Sequence, residues 1–551
     1  MTVRVRLPDG SQREVPSGTP FGRILSGIHG DGDEPWVAAR VNNEILGWDR
    51  HALVNCSLEP VGLSSRAGMT IYRKSLCFLV SIASRELFPD RRLVIGHALG
   101  QGYFYRFEGT EQVAQEDLSA LESRMRALVA ADEPIVNDLL SYEEAVELFR
   151  GQGQADTALL LSNQSQPQVL MNRCDGFRDL SHGPLVPSTG VLSVFSIMAY
   201  PPGFLLRYPP SETPRTMGPF VENPILFSIY KEYKNWGKIL GVHSVGTLNE
   251  LNLAGRSQEF IHVAEALHDK KIAEIADRIV AQRDSVHVVL IAGPSSSGKT
   301  TFAKKLSVQL RVVGRNPIPI SLDDYYKNRE DTPRDEDGNY DFEALEALDV
   351  ELLNENLLGL LRGGEVRIPV FDFASGARKP EGRPLTLPER SILILEGIHG
   401  LNDLLTPLIP RRAKYRIYVS ALTQLNLDDH TRVSTTDNRL IRRIVRDSQF
   451  RGHQAIRTLS MWPSVRRGED RNIFPFQNSA DSAFNSALDY ELAVLKVYAE
   501  PLLATVKPDV PEYEDARALL AFLGNFAPLP TRWVPPTSIL REFIGESAFK
   551  Y

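Results

Sequence analysis

Apolar and polar residues alternate from the start of the chain, with Val3, Val5 and Leu7 on one side and Pro8-Asp9-Gly10 turning the chain into Ser11–Val15. The pattern predicts short strands and turns over residues 1–65, a small β-rich module. From 66 to 200 it is mixed, with a helical apolar stretch at Leu76–Leu87 and strand candidates around Ile95–Phe107, which predicts a separate α+β domain. A proline-rich run from Tyr200-Pro201-Pro202-Gly203 to Pro219 reads as a boundary or a rigid connection. Ile261, Ala264 and Leu267, then Ile272, Ile275 and Ile279, recur at spacings of three and four, so 201–285 is expected to be a helical connector. Beyond 286 the grammar changes to buried strands alternating with helices: His287–Ala292, Phe302–Val313, Pro319–Leu322 and Ser391–Leu395. That alternation predicts a parallel α/β sheet over 286–504. Residues 505–551 carry four prolines between Pro528 and Pro536 and read as an extended C-terminal appendage.

Composition narrows the class. A chain of 551 residues exceeds what one hydrophobic core organises, so several domains are expected. With 42% hydrophobic and 24% charged residues it has the make-up of a globular protein, and no apolar run approaches the roughly 18 residues of a membrane span. The N-terminus lacks the apolar core of a secretory signal, which makes the cytoplasm the default expectation. Cys56, Cys77 and Cys174 are too few and too scattered for a disulfide framework. A net charge of −7 argues against bulk nucleic-acid binding, although an arginine-rich stretch at 439–451 is locally basic.

The strongest chemical signal is Gly293-Pro-Ser295-Ser296-Ser297-Gly298-Lys299-Thr300, directly after an apolar strand and directly before an amphipathic helix. Glycines let backbone N–H groups turn inward around phosphate oxygens, and the helix N-terminus adds its positive dipole end. This assigns Gly293, Ser295, Ser296, Ser297, Gly298, Lys299, Thr300 and Thr301 to a nucleotide's phosphates, with Lys299 on the β- and γ-phosphates and Thr300 on Mg²⁺. The cofactors expected are therefore ATP and Mg²⁺. Asp323 and Asp324 follow the next strand, where parallel sheets build their sites.

Here the sequence resembles the uridine kinase and phosphoribulokinase family of P-loop kinases. The resemblance gives Asp323 the role of catalytic base and Glu396, in SILILEGIHGL, a place beside the metal with Thr300. It gives Asp341, in Tyr340-Asp341-Phe342, the ribose diol, and it lines the acceptor with Tyr325 and with Phe371 and Asp372 of the segment 369–378. It likens Thr436–Gly452 to an arginine-rich lid: Arg442 would act on the transferring phosphoryl group beside Lys299, and Arg439 and Arg451 on the substrate. The implied activity is transfer of the ATP γ-phosphoryl group to the 5′-hydroxyl of a nucleoside. Phe371 and Gly376 depart from the tyrosine and histidine that face the base in pyrimidine kinases, leaving the base open. A P-loop ATPase that senses RNA or a nucleotide, and a kinase of a non-nucleoside hydroxyl, are the alternatives.

The front of the chain resembles two other modules. Residues 1–65 are similar to the TGS domain, a β-grasp fold, and 66–200 to the second, editing domain of threonyl-tRNA synthetase, through RELFPD, IGHALGQGYFYRFEG and DLSHGPLVPSTG. The whole looks like the bacterial TGS-containing, uridine-kinase-like proteins. The resemblance offers an RNA or nucleotide ligand for these domains, but the editing chemistry is missing. Lys74 and Phe78 stand where that family has HxxxH, and Ser181 and Leu185 stand where it has CxxxH. No transition-metal centre can be built from these four side chains.

Overall fold

The computed structural model describes residues 1–26, 28, 34–282, 285–334, 338, 340–372 and 375–550. Its N-terminal sheet has the strand order Gln12–Pro16, Thr2–Arg6, Cys56–Gly62, Trp36–Val41, Glu44–Leu46, with Thr2–Arg6 parallel to Cys56–Gly62. Val3, Val5 and Leu7 point into a core closed by the short helix Phe21–Leu25, as their alternation requires.

The second region packs the helices Arg66–Leu87 and Gln115–Ala131 on a four-stranded antiparallel sheet. The first helix starts ten residues before the predicted apolar stretch, because Ser65 caps it by accepting from the Gly68 backbone N–H. Pro201-Pro202, expected to separate domains, is instead the turn of a hairpin between Ser196–Tyr200 and Gly203–Arg207. The second strand of that hairpin pairs with Gly102–Phe107, so this sheet continues past the expected boundary at 200.

Three helices follow, Pro224–Leu240, Val245–Leu253 and Ser257–Ala281. They are more than a connector: Ile261, Ile272, Ile275 and Ile279 share one core with Phe302 and Leu306 of the helix Lys299–Val312.

The C-terminal α/β unit holds five parallel strands in the order Asn316–Ser321, Ser391–Glu396, Val288–Ala292, Lys414–Ser420, Ser482–Asn485. Val288–Ala292 is buried along its whole length, as a parallel strand covered on both faces must be. The tail corrects the expectation of an extended appendage. Residues 513–523 form a helix, and Leu519, Leu523, Phe526, Leu529, Val534, Ile539, Leu540, Phe543 and Ile544 are buried in the main core of this unit. The prolines limit 528–536 to a single 3₁₀ turn at Thr531–Trp533, yet the apolar residues on either side are drawn inward by the area they remove from water.

The two halves meet through a charged seam. Asp429 accepts from Arg92 Nε at 2.7 Å and from the Thr157 backbone N–H and hydroxyl at 2.9 and 3.0 Å. His182 Nε2 lies 2.5 Å from Asp428 Oδ2, and His430 Nδ1 lies 2.7 Å from Asp179. Burial works against charge on His430, yet Asp179, with Asp429 and Asp428 behind it, raises its pKa to about 9. Lys74 donates to the His182 carbonyl at 3.1 Å. The segment that would line an editing cleft is thus occupied with holding the chain's own residues 428–430. No cluster of three or more His, Cys, Asp or Glu suited to a metal exists among the described residues.

Candidate active site

The P-loop leaves the sheet after Ala292 and enters the helix Lys299–Val312. Gly293 is required sterically, since a Cβ there would lie 2.0 Å from the Val419 carbonyl oxygen. Gly298 takes φ +79, the left-handed region that glycine occupies without penalty. Ser296 and Ser297 are buried, and their hydroxyls have no partner in the protein. A buried hydroxyl without a partner is costly, and phosphate oxygens would satisfy both.

Strand register assembles the rest. Glu396 ends its strand paired with Ile291 on one side and Ser321 on the other, so it sits between the P-loop and the turn that carries Asp323. The Thr300 hydroxyl donates to Glu396 Oε1 at 3.0 Å. A hydroxyl and a carboxylate oxygen side by side suit a hard cation that draws its remaining ligands from phosphate and water, as Mg²⁺ does. Lys299 Nζ donates to the Pro294 carbonyl at 3.2 Å and lies in the field of Glu396, Glu542 and Asp323. Burial lowers the pKa of its ammonium against the pull of those carboxylates.

Asp323 opens onto the cleft but has protein on its other sides. The resulting desolvation raises its pKa, opposed by Lys299 and reinforced by Asp324. Glu396 is raised for the same first reason. Asp324 accepts from the Phe371 backbone, which leaves Asp323 as the carboxylate facing Lys299.

Four expected site residues are placed otherwise. Residues 322–325 form one 3₁₀ turn, whose three-residue period buries both Leu322 and Tyr325. The Tyr325 hydroxyl meets Asn356 in the core at 3.2 Å. Tyr326 is the tyrosine that faces the site: its ring lies 5.7 Å from that of Phe371, its hydroxyl donates to the Phe342 carbonyl, and Asp323, Glu343 and Asp341 all act on it. Asp372 is turned to the Ser375 hydroxyl.

Arg439 and Arg442 are the larger correction. Both are buried, at 1% and 0% exposure, and both grip the P-loop from behind. Arg439 Nε donates to the Ser295 carbonyl at 2.9 Å and its guanidinium pairs with Glu469, which itself accepts from the Ser295 backbone N–H at 2.9 Å. Arg442 donates to the Ser296 carbonyl, to the hydroxyl and carbonyl of Ser486, and twice to Glu491. Those bonds engage all five of its N–H groups and leave none for a phosphoryl group. Removing one partner from such a buried pair leaves the other charge uncompensated, at a cost of about 3–5 kcal/mol.

The helix Thr435–Arg451 that carries these arginines is capped by Ser434, which accepts from the Asp437 N–H, and it ends at Gly452 with φ +64. Leu440, Ile441, Ile444 and Val445 seat it in the core. Arg443, another arginine of the expected lid, reaches the Ser295 hydroxyl at 2.8 Å, and Arg451 lies in the field of Asp323. Asp341 accepts from the Glu343 backbone N–H at 3.1 Å, but no α-helix begins there. The cap of the next helix is Asp349. Glu343, missed in the sequence, packs over Gly468, and burial with Glu469 nearby raises its pKa to about 7. At 376 a glycine with φ +70 lies under Arg329, so the position leaves little room for a larger side chain to reach an acceptor. Phe373 and Ala374, within the expected acceptor segment, lie outside the described residues.

Residues 288–493 match the model of the Phosphoribulokinase / Uridine kinase family. The C-terminal unit is therefore a P-loop domain of kinase type, matched from its first central strand into the helix Glu491–Leu503. The N-terminal half is similar to threonine–tRNA ligases: 33% identical over 197 residues to that of Acidovorax sp. (strain JS42) and 34% over 201 residues to that of Delftia acidovorans. Each match covers 36% of this chain and 31% of the ligase, so the chain spans about a third of the length of these relatives. Among solved structures, D-glycerate 3-kinase from Cryptococcus neoformans var. grubii aligns with 46% of this chain and 87% of its own, at 16% identity and a TM-score of 0.22.

Proposed function

We propose that the protein is an ATP-dependent phosphotransferase that moves the γ-phosphoryl group to a hydroxyl of a small acceptor, a nucleoside being the acceptor favoured. The observation that carries this reading is the meeting of Lys299, the Thr300–Glu396 pair and Asp323 at the ends of three adjacent parallel strands. The Thr300 hydroxyl and Glu396 would hold Mg²⁺, which when bound neutralises phosphate charge. The P-loop N–H groups and Lys299 bind and orient the phosphates. Asp323 takes the proton from the acceptor hydroxyl, and Lys299 stabilises the charge on the oxygens of the transferring group. Arg443 and Arg451 are the arginines left near the cleft to add to that stabilisation.

A switch ATPase needs only a residue to position water. The wall of Tyr326, Asp341 and Glu343 beside Asp323 supports an organic acceptor instead. The test is ADP release with Mg²⁺-ATP and a panel of nucleosides, sugars and sugar acids. A ribonucleoside should be turned over faster than its 2′-deoxy form, and Asp341→Ala should raise the acceptor KM while erasing that preference, since it removes charge-assisted bonds of about 1.5–3 kcal/mol each. Equal discrimination in parent and variant would reject the ribose role of Asp341, and release of ADP without any acceptor dependence would reject the kinase reading.

The likeness of the N-terminal half to threonine–tRNA ligases supports an RNA ligand there. Retention of bulk tRNA by the full chain is the expected result, and its absence at micromolar protein sets that ligand aside.

A further inference from the structure

The P-loop helix presents its first turn to a residue from the far end of the chain. Thr301 is its third residue, so its backbone N–H is one of the donors that an α-helix leaves without an intrahelical partner. Such a donor, at the positive end of the dipole, is where a nucleotide phosphate is held. Here Glu542 takes it: one carboxylate oxygen accepts from the Thr301 N–H at 3.2 Å and from the Thr301 hydroxyl at 2.6 Å. The same carboxylate acts on Lys299, Glu396 and Arg451.

Glu542 is not a chance neighbour, because the segment around it is built onto the P-loop. Ile539 is fully buried, and its Cγ2 lies 2.6 Å from where a Cβ would stand on Gly298. The Phe543 ring receives the Arg442 guanidinium at 5.0 Å, the same arginine that holds the Ser296 carbonyl. Lys304 and Lys305, on the next turn of the P-loop helix, donate to the carbonyls of Lys550 and Thr537. Arg541 gathers the carbonyls of Thr531 and Val534, which folds the tail back on itself.

We propose that residues 531–550 form a clasp over the nucleotide site, in which the Glu542 carboxylate occupies a phosphate position at Thr301 and must yield when ATP binds. This regulatory contact rests on the phosphotransferase reading of the P-loop. It makes the tail an internal competitor of the nucleotide, with Ile539 and Phe543 as the anchor and Glu542 as the part that is displaced.

Two measurements on the full chain test it. Calorimetric titration with Mg²⁺-ATP should show Glu542→Gln binding about 2- to 30-fold tighter than the parent, the range set by one carboxylate charge at a helix N-terminus, while Lys299→Ala loses binding. Hydrogen exchange in the short helix Arg541–Ile544 of the parent should speed up when a non-hydrolysable ATP analogue saturates the site, more than in the rest of 531–550. A carboxylate that serves only as a helix cap predicts unchanged or weaker ATP binding in Glu542→Gln. That result, or tail protection unaltered by bound analogue, overturns the clasp and leaves the kinase reading standing as long as Lys299→Ala still abolishes binding. If the parent, Glu542→Gln and Lys299→Ala all fail to bind ATP, the kinase reading falls and the clasp falls with it.

Discussion

Lys299→Ala is expected to abolish ATP-dependent phosphorylation while the protein melts at an unchanged temperature. The ammonium donates to the Pro294 carbonyl within its own loop, and burial disfavours its charge, so the folded state gains little from it. Its task is set by the carboxylates around it: with Glu396, Glu542 and Asp323 in reach, it is the cation that offsets the negative charge gathered where the phosphates would lie. Loss of a single donor aimed at developing charge costs about 10²- to 10³-fold in other enzymes. Here the deficit should be larger than that, because the same group also compensates the neighbouring carboxylates. Phosphoryl transfer from radiolabelled ATP, followed under single-turnover conditions beside a circular-dichroism melt, provides the check. Turnover within tenfold of the parent would remove the P-loop assignment, and a collapsed melt would show that Lys299 is structural.

How far the site could be read from the sequence depended on whether its determinants are local. The P-loop is local: its glycines, its lysine and its flanking strand and helix lie within 25 residues, and each requirement is a property of the backbone that the residues themselves dictate. The strand-end position of Asp323 was legible from the alternation of strands and helices, and that of Glu396 through the family resemblance. Tyr325 was given to the acceptor by the family resemblance, whereas the chain makes a 3₁₀ turn there that buries residues 322 and 325 together and leaves Tyr326 beside Phe371.

Arg439 and Arg442 were misplaced for a different reason. Their helix face was predictable, but Glu469 and Glu491, which claim them, come from helices 30 and 49 residues further along. Nothing in the arginine run indicates that those carboxylates will be buried against it. The tail failed in the same way. Ile539 and Phe543 carry an ordinary apolar signal, and only the assembled P-loop provides the surface they cover. Distant partners also explain the seam at Asp428–His430, whose ligands Arg92, Thr157, Asp179 and His182 lie more than two hundred residues away.

Asp323→Asn should lower kcat by about 10²- to 10⁴-fold, the usual range for a general base, with little change in ATP affinity. Asparagine keeps the shape and cannot take a proton, so the effect isolates proton transfer. The pH profile supplies the second readout. Desolvation raises the pKa of Asp323 in the folded protein, which favours the protonated, inactive form as pH falls. The parent's kcat should therefore decline on the acid side at a pH above that of an ordinary carboxylate. Glu396 is raised as well, but a cation held against it would bring its carboxyl down, so the acid limb in the presence of Mg²⁺ belongs to Asp323. In Asp323→Asn that limb should vanish together with most of the rate. A variant with near-parent kcat would reject Asp323 as the base. A variant that is slow but keeps the same acid limb would move the proton-accepting role to another carboxyl, and Glu343, raised to about 7 beside Asp341 and Arg443, is the group that stands in position to take it.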